Sequence, residues 1–113
     1  MKRPNKYGAE PTVLDGVRFH SKKEAKRWAE LCLLERAGEI GNLERQVEIP
    51  LVGRDGPILT PTGRQAHYIA DFTYVDWRLN GVKVIEDAKG AETPEFRLKR
   101  AILRAQGVEV STS

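Results

Sequence analysis

The chain has 113 residues, which is enough for one compact domain with one modest hydrophobic core. Its composition, 40% hydrophobic and 31% charged, is typical of a globular protein and excludes an intrinsically disordered one. No apolar run approaches the roughly 18 residues that a membrane span needs, so we expect no membrane partner. A single cysteine excludes an internal disulfide bond and fits a reducing, cytoplasmic environment.

Positive charge is concentrated at the beginning of the chain, although the net charge is only +3. Residues 1–27 contain eight Lys and Arg against three Asp and Glu, whereas residues 28–89 contain seven against ten. We expect residues 1–12 to form a flexible basic arm and residues 13–113 to form a single domain. This charge distribution suits a bound polyanion such as DNA, although composition alone favours the alternative of a plain solvated tail.

Two amphipathic helices are predicted, one in each half of the chain. The first follows Ser21, which together with Glu24 has the spacing of a capping box. Its apolar stripe is predicted to consist of Ala25, Trp28, Ala29, Cys32 and Leu33. The second helix has Thr93 as its N-cap and Pro94 as its first residue, and it ends at Gly107. Its apolar face is predicted to consist of Phe96, Leu98, Ile102 and Leu103.

Strands are predicted between and beside the helices. A small hairpin around Asp15 and Gly16 precedes the first helix, and VEVST follows the second helix as a short strand. Between the helices lie three strands, in NLERQVEIPLV, AHYIADFTYVDW and VKVIEDAKG. The last two are expected to pair as an antiparallel hairpin, because only RLNG connects them. The predicted fold class is α/β (α+β), with an αβββαβ core and a central mixed sheet flanked by helices.

Acidic residues interrupt two of these otherwise apolar strands. Because side chains alternate between the faces of a strand, Asp87 and Lys89 share one face and Glu86 lies on the other. Pairing of the two strands brings Asp71 and Asp87 to the same end of the sheet. Two adjacent carboxylates repel each other unless a cation joins them, and their hard oxygen atoms suit Mg²⁺ or Mn²⁺. The alternative for so common a tripeptide as D-x-K is an ion pair on a solvent-facing sheet.

Three segments, VRFHSKKEAKRWAELCLLERAGEI, YIADFTYV and VIEDAKG, resemble in this order the PD-(D/E)XK nuclease superfamily. They also resemble a family of small phage-encoded nuclease-like proteins that are similar to Holliday junction resolvases, over about residues 6–106. The resemblance implies a restriction-endonuclease-like fold and a Mg²⁺-dependent DNA endonuclease in the cytoplasm of the host cell. It implies Asp71, Asp87 and the backbone carbonyl of Ala88 as metal ligands, and Lys89 as a catalytic residue that assists the attacking water or the phosphate oxygens.

Further roles remain open at the level of the sequence. The resemblance implies that Glu24 is a catalytic residue and a metal ligand, whereas the capping box explains the same residue structurally. Ala70 stands where many members of the superfamily have proline. Gln46 is expected to support the site or to be a surface residue, and Glu86 to face away from the site or to support it.

DNA contacts are predicted from charge and position, with solvated surface residues as the alternative. The predicted residues are Lys2, Arg3, Lys6, Lys22, Lys23, His67, Arg97 and Arg100. We expect a homodimer, because a domain with one site cuts one strand in each binding event. A non-catalytic DNA-binding or assembly protein that reuses the nuclease fold is the alternative function, and the intact acidic set argues against it.

Overall fold

The computed structural model describes residues 12–14, 16–88 and 92–113 of the chain. A 3-10 turn at Trp77–Leu79 connects the strands His67–Asp76 and Val82–Asp87. The other elements, in chain order, are β1 Thr12–Leu14, β2 Val17–Phe19, α1 Lys22–Arg36, β3 Ile40–Pro50, β4 Val52–Gly53, β5 Gly56–Pro57, β6 His67–Asp76, β7 Val82–Asp87, α2 Pro94–Ala105 and β8 Val110–Thr112.

The central sheet has four strands in the order β3-β6-β7-β8. β6 pairs antiparallel with both β3 and β7, while β8 pairs parallel with β7. β1 with β2, and β4 with β5, form separate two-stranded hairpins. The sheet is therefore mixed and its core order is αβββαβ, which confirms the predicted fold class.

The two helices cover opposite faces of the sheet, each over its own hydrophobic cluster. On β7, Val84 packs into the cluster that contains Leu31 of α1, whereas the neighbouring Ile85 packs into the cluster that contains Leu103 of α2. Adjacent strand residues point to opposite faces, so the helices lie on the two sides of β7. No helix in the described parts of the chain is both long and apolar enough to cross a bilayer.

Ser21 is confirmed as the N-cap of α1, but one predicted member of the apolar stripe is wrong. The Ser21 hydroxyl accepts a hydrogen bond from the Glu24 amide at 3.1 Å. Leu31 is fully buried, whereas Leu33 is 62% exposed. The segment WAELCLL has only one polar residue, so its periodicity is compatible with more than one rotation of the helix. Trp28 is half-buried and stacks on the Phe72 ring, with 5.9 Å between their centroids.

The predicted start of α2 is confirmed, and its apolar face differs at one position. The Thr93 hydroxyl accepts a hydrogen bond from the Phe96 amide, and Pro94 is the first helical residue. Phe96 and Leu103 are buried, but Leu98 is 63% exposed. Residues two apart on a helix lie about 200° from each other, so Leu98 points away from the side that Phe96 buries.

Strand β3 is irregular where it faces β6. The register shifts between Gly41 and Glu44, and Asn42 has a positive φ of 51°. Gln46 also has a positive φ, 54°, which is uncommon for a residue with a side chain. Gln46 lies beside the acidic pair described next.

Candidate active site

Asp71 of β6 and Asp87 of β7 are hydrogen-bonded to each other's strands. The Asp71 amide donates to Oδ1 of Asp87 at 3.1 Å, and the Ala88 amide donates to Oδ2 of Asp71 at 2.9 Å. The last pair of the β6–β7 ladder is Phe72 with Glu86. Asp71 and Asp87 occupy the next position beyond this pair. Two side-chain hydrogen bonds thus continue the ladder, and the predicted convergence of Asp71 and Asp87 is confirmed.

Glu24 and Gln46 belong to the same region. In the β3–β6 register, Arg45 lies opposite Phe72 and Val47 lies opposite Ala70. Gln46, between them, therefore lies opposite Asp71. The Gln46 side-chain amide donates to Oε1 of Glu24 at 3.3 Å. Glu24 is only 3% exposed although it lies in the first turn of α1. The structure therefore brings both residues to the aspartate pair.

The electrostatic surroundings of Glu24 are mixed. Burial raises the pKa of the Glu24 carboxyl, and the negative charge of Asp71 raises it further. His20 and Arg45 act in the opposite direction, but the pKa remains above its ordinary value. Their nearest nitrogen atoms lie 3.9 Å and 3.7 Å from the carboxylate oxygens of Glu24. A buried carboxyl whose pKa is raised by a neighbouring acid is typical of functional sites.

Glu86 points away from this pair, as the alternation of side chains on a strand predicts. Its carboxylate is 3% exposed and accepts hydrogen bonds from Arg27 on α1 and from the Tyr74 hydroxyl on β6. Sequence reasoning missed Arg27 and Tyr74. Arg27 lies three residues after Glu24 on α1, and this spacing places two side chains on one face of a helix. The spacing was the signal in the sequence that could have linked Arg27 to the site.

The oxygen donors of the site fit a hard divalent cation. A carboxylate offers about four acceptor positions, so accepting one amide hydrogen does not prevent Asp71 from binding a metal ion. Within residues 12–14, 16–88 and 92–113, no three His, Cys, Asp or Glu side chains are gathered closely enough to enclose an ion. Mg²⁺ is usually held by only one or two carboxylates and keeps several waters, and Asp71 and Asp87 supply two carboxylates.

The predicted DNA-contacting residues are dispersed. Lys22 and Lys23 are exposed in the first turn of α1, next to Glu24. His67 is exposed but lies four residues before Asp71 on β6, roughly 13 Å along a strand. On α2, Arg97 is exposed, whereas Arg100 pairs with Glu92 at 2.7 Å and lies over the Phe96 ring. Four further predicted site residues lie outside the described residues: Lys2, Arg3, Lys6 and Lys89.

The fold and the acidic pair define an α+β protein with a candidate cation site where the β6–β7 ladder ends. The chain belongs to the family described as "Protein of unknown function (DUF1064)", which matches residues 4–113. No curated protein and no solved structure matches the chain. The family description names no function, so the geometry of the site is the first basis for proposing one.

Proposed function

We propose that this protein is a metal-dependent DNA endonuclease that hydrolyses phosphodiester bonds. The main support is the interlocked pair of Asp71 and Asp87, with Glu24 close enough for the charge of Asp71 to raise its pKa. These three acidic side chains come from three different elements, α1, β6 and β7. Carboxylates that are near one another repel, and a bound cation is one way to offset this repulsion.

Asp71, Asp87 and the Ala88 carbonyl are the proposed ligands of a Mg²⁺ or Mn²⁺ ion. Such an ion, when bound, polarises the scissile phosphate and lowers the pKa of a bound water molecule. The aspartates are oriented by the two amide hydrogen bonds that they accept, so their carboxylates are held in place before any ligand arrives. This preorganisation is what a site for charge stabilisation requires.

Glu24 and Lys89 complete the proposed chemistry. The raised pKa of Glu24 suits it to accept a proton from the attacking water, with the Gln46 amide holding Oε1 of its carboxylate. Lys89 is assigned by resemblance alone, and its role would be to offset the negative charge that develops on the phosphate oxygens. No amino-acid nucleophile is required.

The proposed substrate is DNA, for two reasons. Lys22 and Lys23 are exposed immediately before Glu24, where they would contact the phosphate backbone on either side of the cleaved bond. The resemblance to Holliday junction resolvases points to branched DNA from replication or recombination. Cleavage of both strands would require a homodimer, acting in the cytoplasm of the host cell if a phage encodes the protein.

A cleavage assay tests this proposal directly. Linear, nicked, single-stranded and four-way-junction DNA would each be incubated with the protein in Mg²⁺, in Mn²⁺ and in EDTA. We expect cleavage of at least one of these DNAs with a metal ion and none in EDTA. Full activity in EDTA would contradict the mechanism. The mass of the protein in solution, measured with and without the junction, would test the homodimer.

A non-catalytic DNA-binding or assembly protein is the second candidate. The observation that favours it is that Asp71 and Asp87 already accept backbone amide hydrogens at the end of the ladder, which is a structural role in itself. This alternative predicts DNA binding that is equal in Mg²⁺ and in EDTA, with no cleavage in either. A purely structural pair also predicts that Asp71→Ala, which removes the acceptor of the Ala88 amide hydrogen, loses stability without any change in metal binding.

A further inference from the structure

A buried polar cluster lies on the face of β7 opposite to Asp87. Arg27 binds the Glu86 carboxylate with both arms of its guanidinium group, with Nε at 2.6 Å from Oε2 and a terminal nitrogen at 3.0 Å from Oε1. The Tyr74 hydroxyl donates to the same Oε1 at 2.7 Å. Arg27 also contacts Glu30 at 3.1 Å. We call Arg27, Tyr74 and Glu86 the buried clamp.

The geometry of the buried clamp makes it rigid. A forked arginine–carboxylate pair fixes orientation as well as distance, and charge-assisted hydrogen bonds are about twice as strong as neutral ones. Burial alone would raise the pKa of the Glu86 carboxyl, but the hydrogen bonds from Arg27 and Tyr74 outweigh it and lower the pKa. Glu86 is therefore held as a carboxylate. Burial and its bond to Glu86 raise the pKa of Tyr74 to about 12, so its hydroxyl remains a donor.

Each member of the buried clamp is close in sequence to one of the acidic residues of the candidate site. Arg27 follows Glu24 by three residues on α1, and Tyr74 follows Asp71 by three on β6. Glu86 directly precedes Asp87 on β7. The same three elements that carry the acidic residues are thus joined a second time, by hydrogen bonds among the buried clamp residues.

We infer that Arg27, Tyr74 and Glu86 are positioning residues that lock α1, β6 and β7 together and thereby set the spacing of Glu24, Asp71 and Asp87 for cation binding. The inference rests on the proposed function for its metal-binding part only. The locking part concerns the metal-free protein. Without the buried clamp, β7 loses the hydrogen bonds that join Glu86 to Arg27 of α1, and the amides of Asp71 and Ala88 lose the alignment with their carboxylate acceptors.

The experiment compares Arg27→Met, Arg27→Lys and Tyr74→Phe with a matched control. Arg78 makes a similar forked pair with the buried Asp76 at the far end of β6, with distances of 2.9 and 3.0 Å, so Arg78→Met is the control. Amide hydrogen exchange at Asp71 and Ala88 is measured by NMR without metal. Each rate is divided by that of the Leu51 amide, which bonds to Ala66 in the other cluster, to remove changes in global stability.

We expect the exchange ratio at Ala88 and Asp71 to rise about tenfold or more in Arg27→Met, and less in Tyr74→Phe, which removes one hydroxyl. Arg27→Lys should lie between Arg27→Met and the parent, because lysine keeps the charge and loses the fork. Arg78→Met should leave both ratios unchanged. Exchange ratios at Asp71 and Ala88 that are the same in the parent, Arg27→Lys and Tyr74→Phe would contradict the proposed locking role. A rise in Arg78→Met as large as that in Arg27→Met would also contradict it.

Calorimetric titration with Mn²⁺ tests the metal-binding part. The affinity of Arg27→Lys should fall on the order of tenfold to a hundredfold, as is usual when residues that orient metal ligands are changed, while Arg78→Met keeps the parent affinity. Equal affinity in Arg27→Lys and the parent would overturn this part. Absence of Mn²⁺ binding by the parent would contradict both the proposed function and the metal-binding part of this inference. The exchange ratios would still test whether the buried clamp holds α1, β6 and β7 together.

Discussion

The backbone amide of Asp71 donates a hydrogen bond to the carboxylate of Asp87, with 3.1 Å between nitrogen and oxygen. A candidate ligand on one strand is thereby tied to the backbone of the next, and the Ala88 amide closes the arrangement by donating to Asp71. Neither carboxylate can rotate freely without breaking a bond to the other strand. A substitution at one aspartate is therefore expected to change the hydrogen bonding and orientation of the other.

Asparagine at either position of the pair tests the proposed ligands. Asp71→Asn and Asp87→Asn keep the size of the side chain and an oxygen that accepts the amide hydrogen, but they lose the charge that binds a cation. We expect cleavage to fall at least on the order of 10²-fold in each variant, with Mn²⁺ binding by calorimetry largely lost. Asp55→Asn, in the exposed turn between β4 and β5, is the control and should behave as the parent. Cleavage at the parent rate by Asp87→Asn would contradict the assignment.

Glu24→Gln separates a structural role of Glu24 from a catalytic one. Because burial and Asp71 raise the pKa of Glu24 in the folded state above its ordinary value of 4.5, ionisation of Glu24 opposes folding. The stability that the protonated carboxyl contributes is full below pH 4.5 and is lost as the pH rises through the folded-state pKa. Glutamine cannot ionise, so we expect the metal-free variant to melt above the parent at pH 7 and the difference to close in acid.

Cleavage by Glu24→Gln decides its role in the reaction. Glutamine can still close a capping box, so the structural role predicts an unchanged rate. The catalytic role predicts a loss on the order of 10²-fold or more, because a neutral amide does not accept the proton. Melting curves from pH 4 to 8, recorded with and without Mg²⁺, accompany the rate measurement. Parent-like cleavage would remove Glu24 from the site.

Lys89→Ala tests the one proposed catalytic residue whose assignment comes from the sequence alone. We expect kcat to fall on the order of 10²-fold or more while DNA affinity is largely kept, since the role of Lys89 is in the transition state. Lys83→Ala is the control, because Lys83 is exposed on β7 away from the aspartates. A loss confined to DNA affinity, with turnover at saturation unchanged, would make Lys89 a simple phosphate contact.

Leu31→Ala and Leu33→Ala form a matched pair on α1. Leu31 is fully buried between α1 and the sheet, whereas Leu33 is 62% exposed. We expect Leu31→Ala to lower the free energy of unfolding by about 2–5 kcal/mol, through lost burial and the cavity left behind. Leu33→Ala should change it by less than about 0.5 kcal/mol. Urea denaturation of both variants measures the difference, and equal losses would show that α1 is rotated from the orientation described above.

Much of the fold could be predicted because it follows from local signals. Ser21 and Thr93 are side-chain caps whose chemistry depends only on the next three residues, and Pro94 can begin a helix but not continue one. The β6–β7 hairpin follows from two β-prone runs and a short connection. Alternation along these strands then places Asp71 and Asp87 on one face and Glu86 on the other, without any knowledge of what packs against them.

The remaining features depend on contacts between segments that are distant in the chain. The periodicity of α1 does not specify the rotation of the helix about its axis. Packing of Leu31 against Phe72 and Tyr74 fixes this rotation and leaves Leu33 exposed. The bond between Arg27 and Glu86 joins residues 59 positions apart, and that between Gln46 and Glu24 joins residues 22 apart. The sequence by itself determined that Asp71 and Asp87 lie on neighbouring strands and on one face of them. Only the tertiary structure decided that Glu24 and Gln46 reach the aspartates and that a buried clamp joins their elements, because burial and charge pairing depend on how helix and sheet pack.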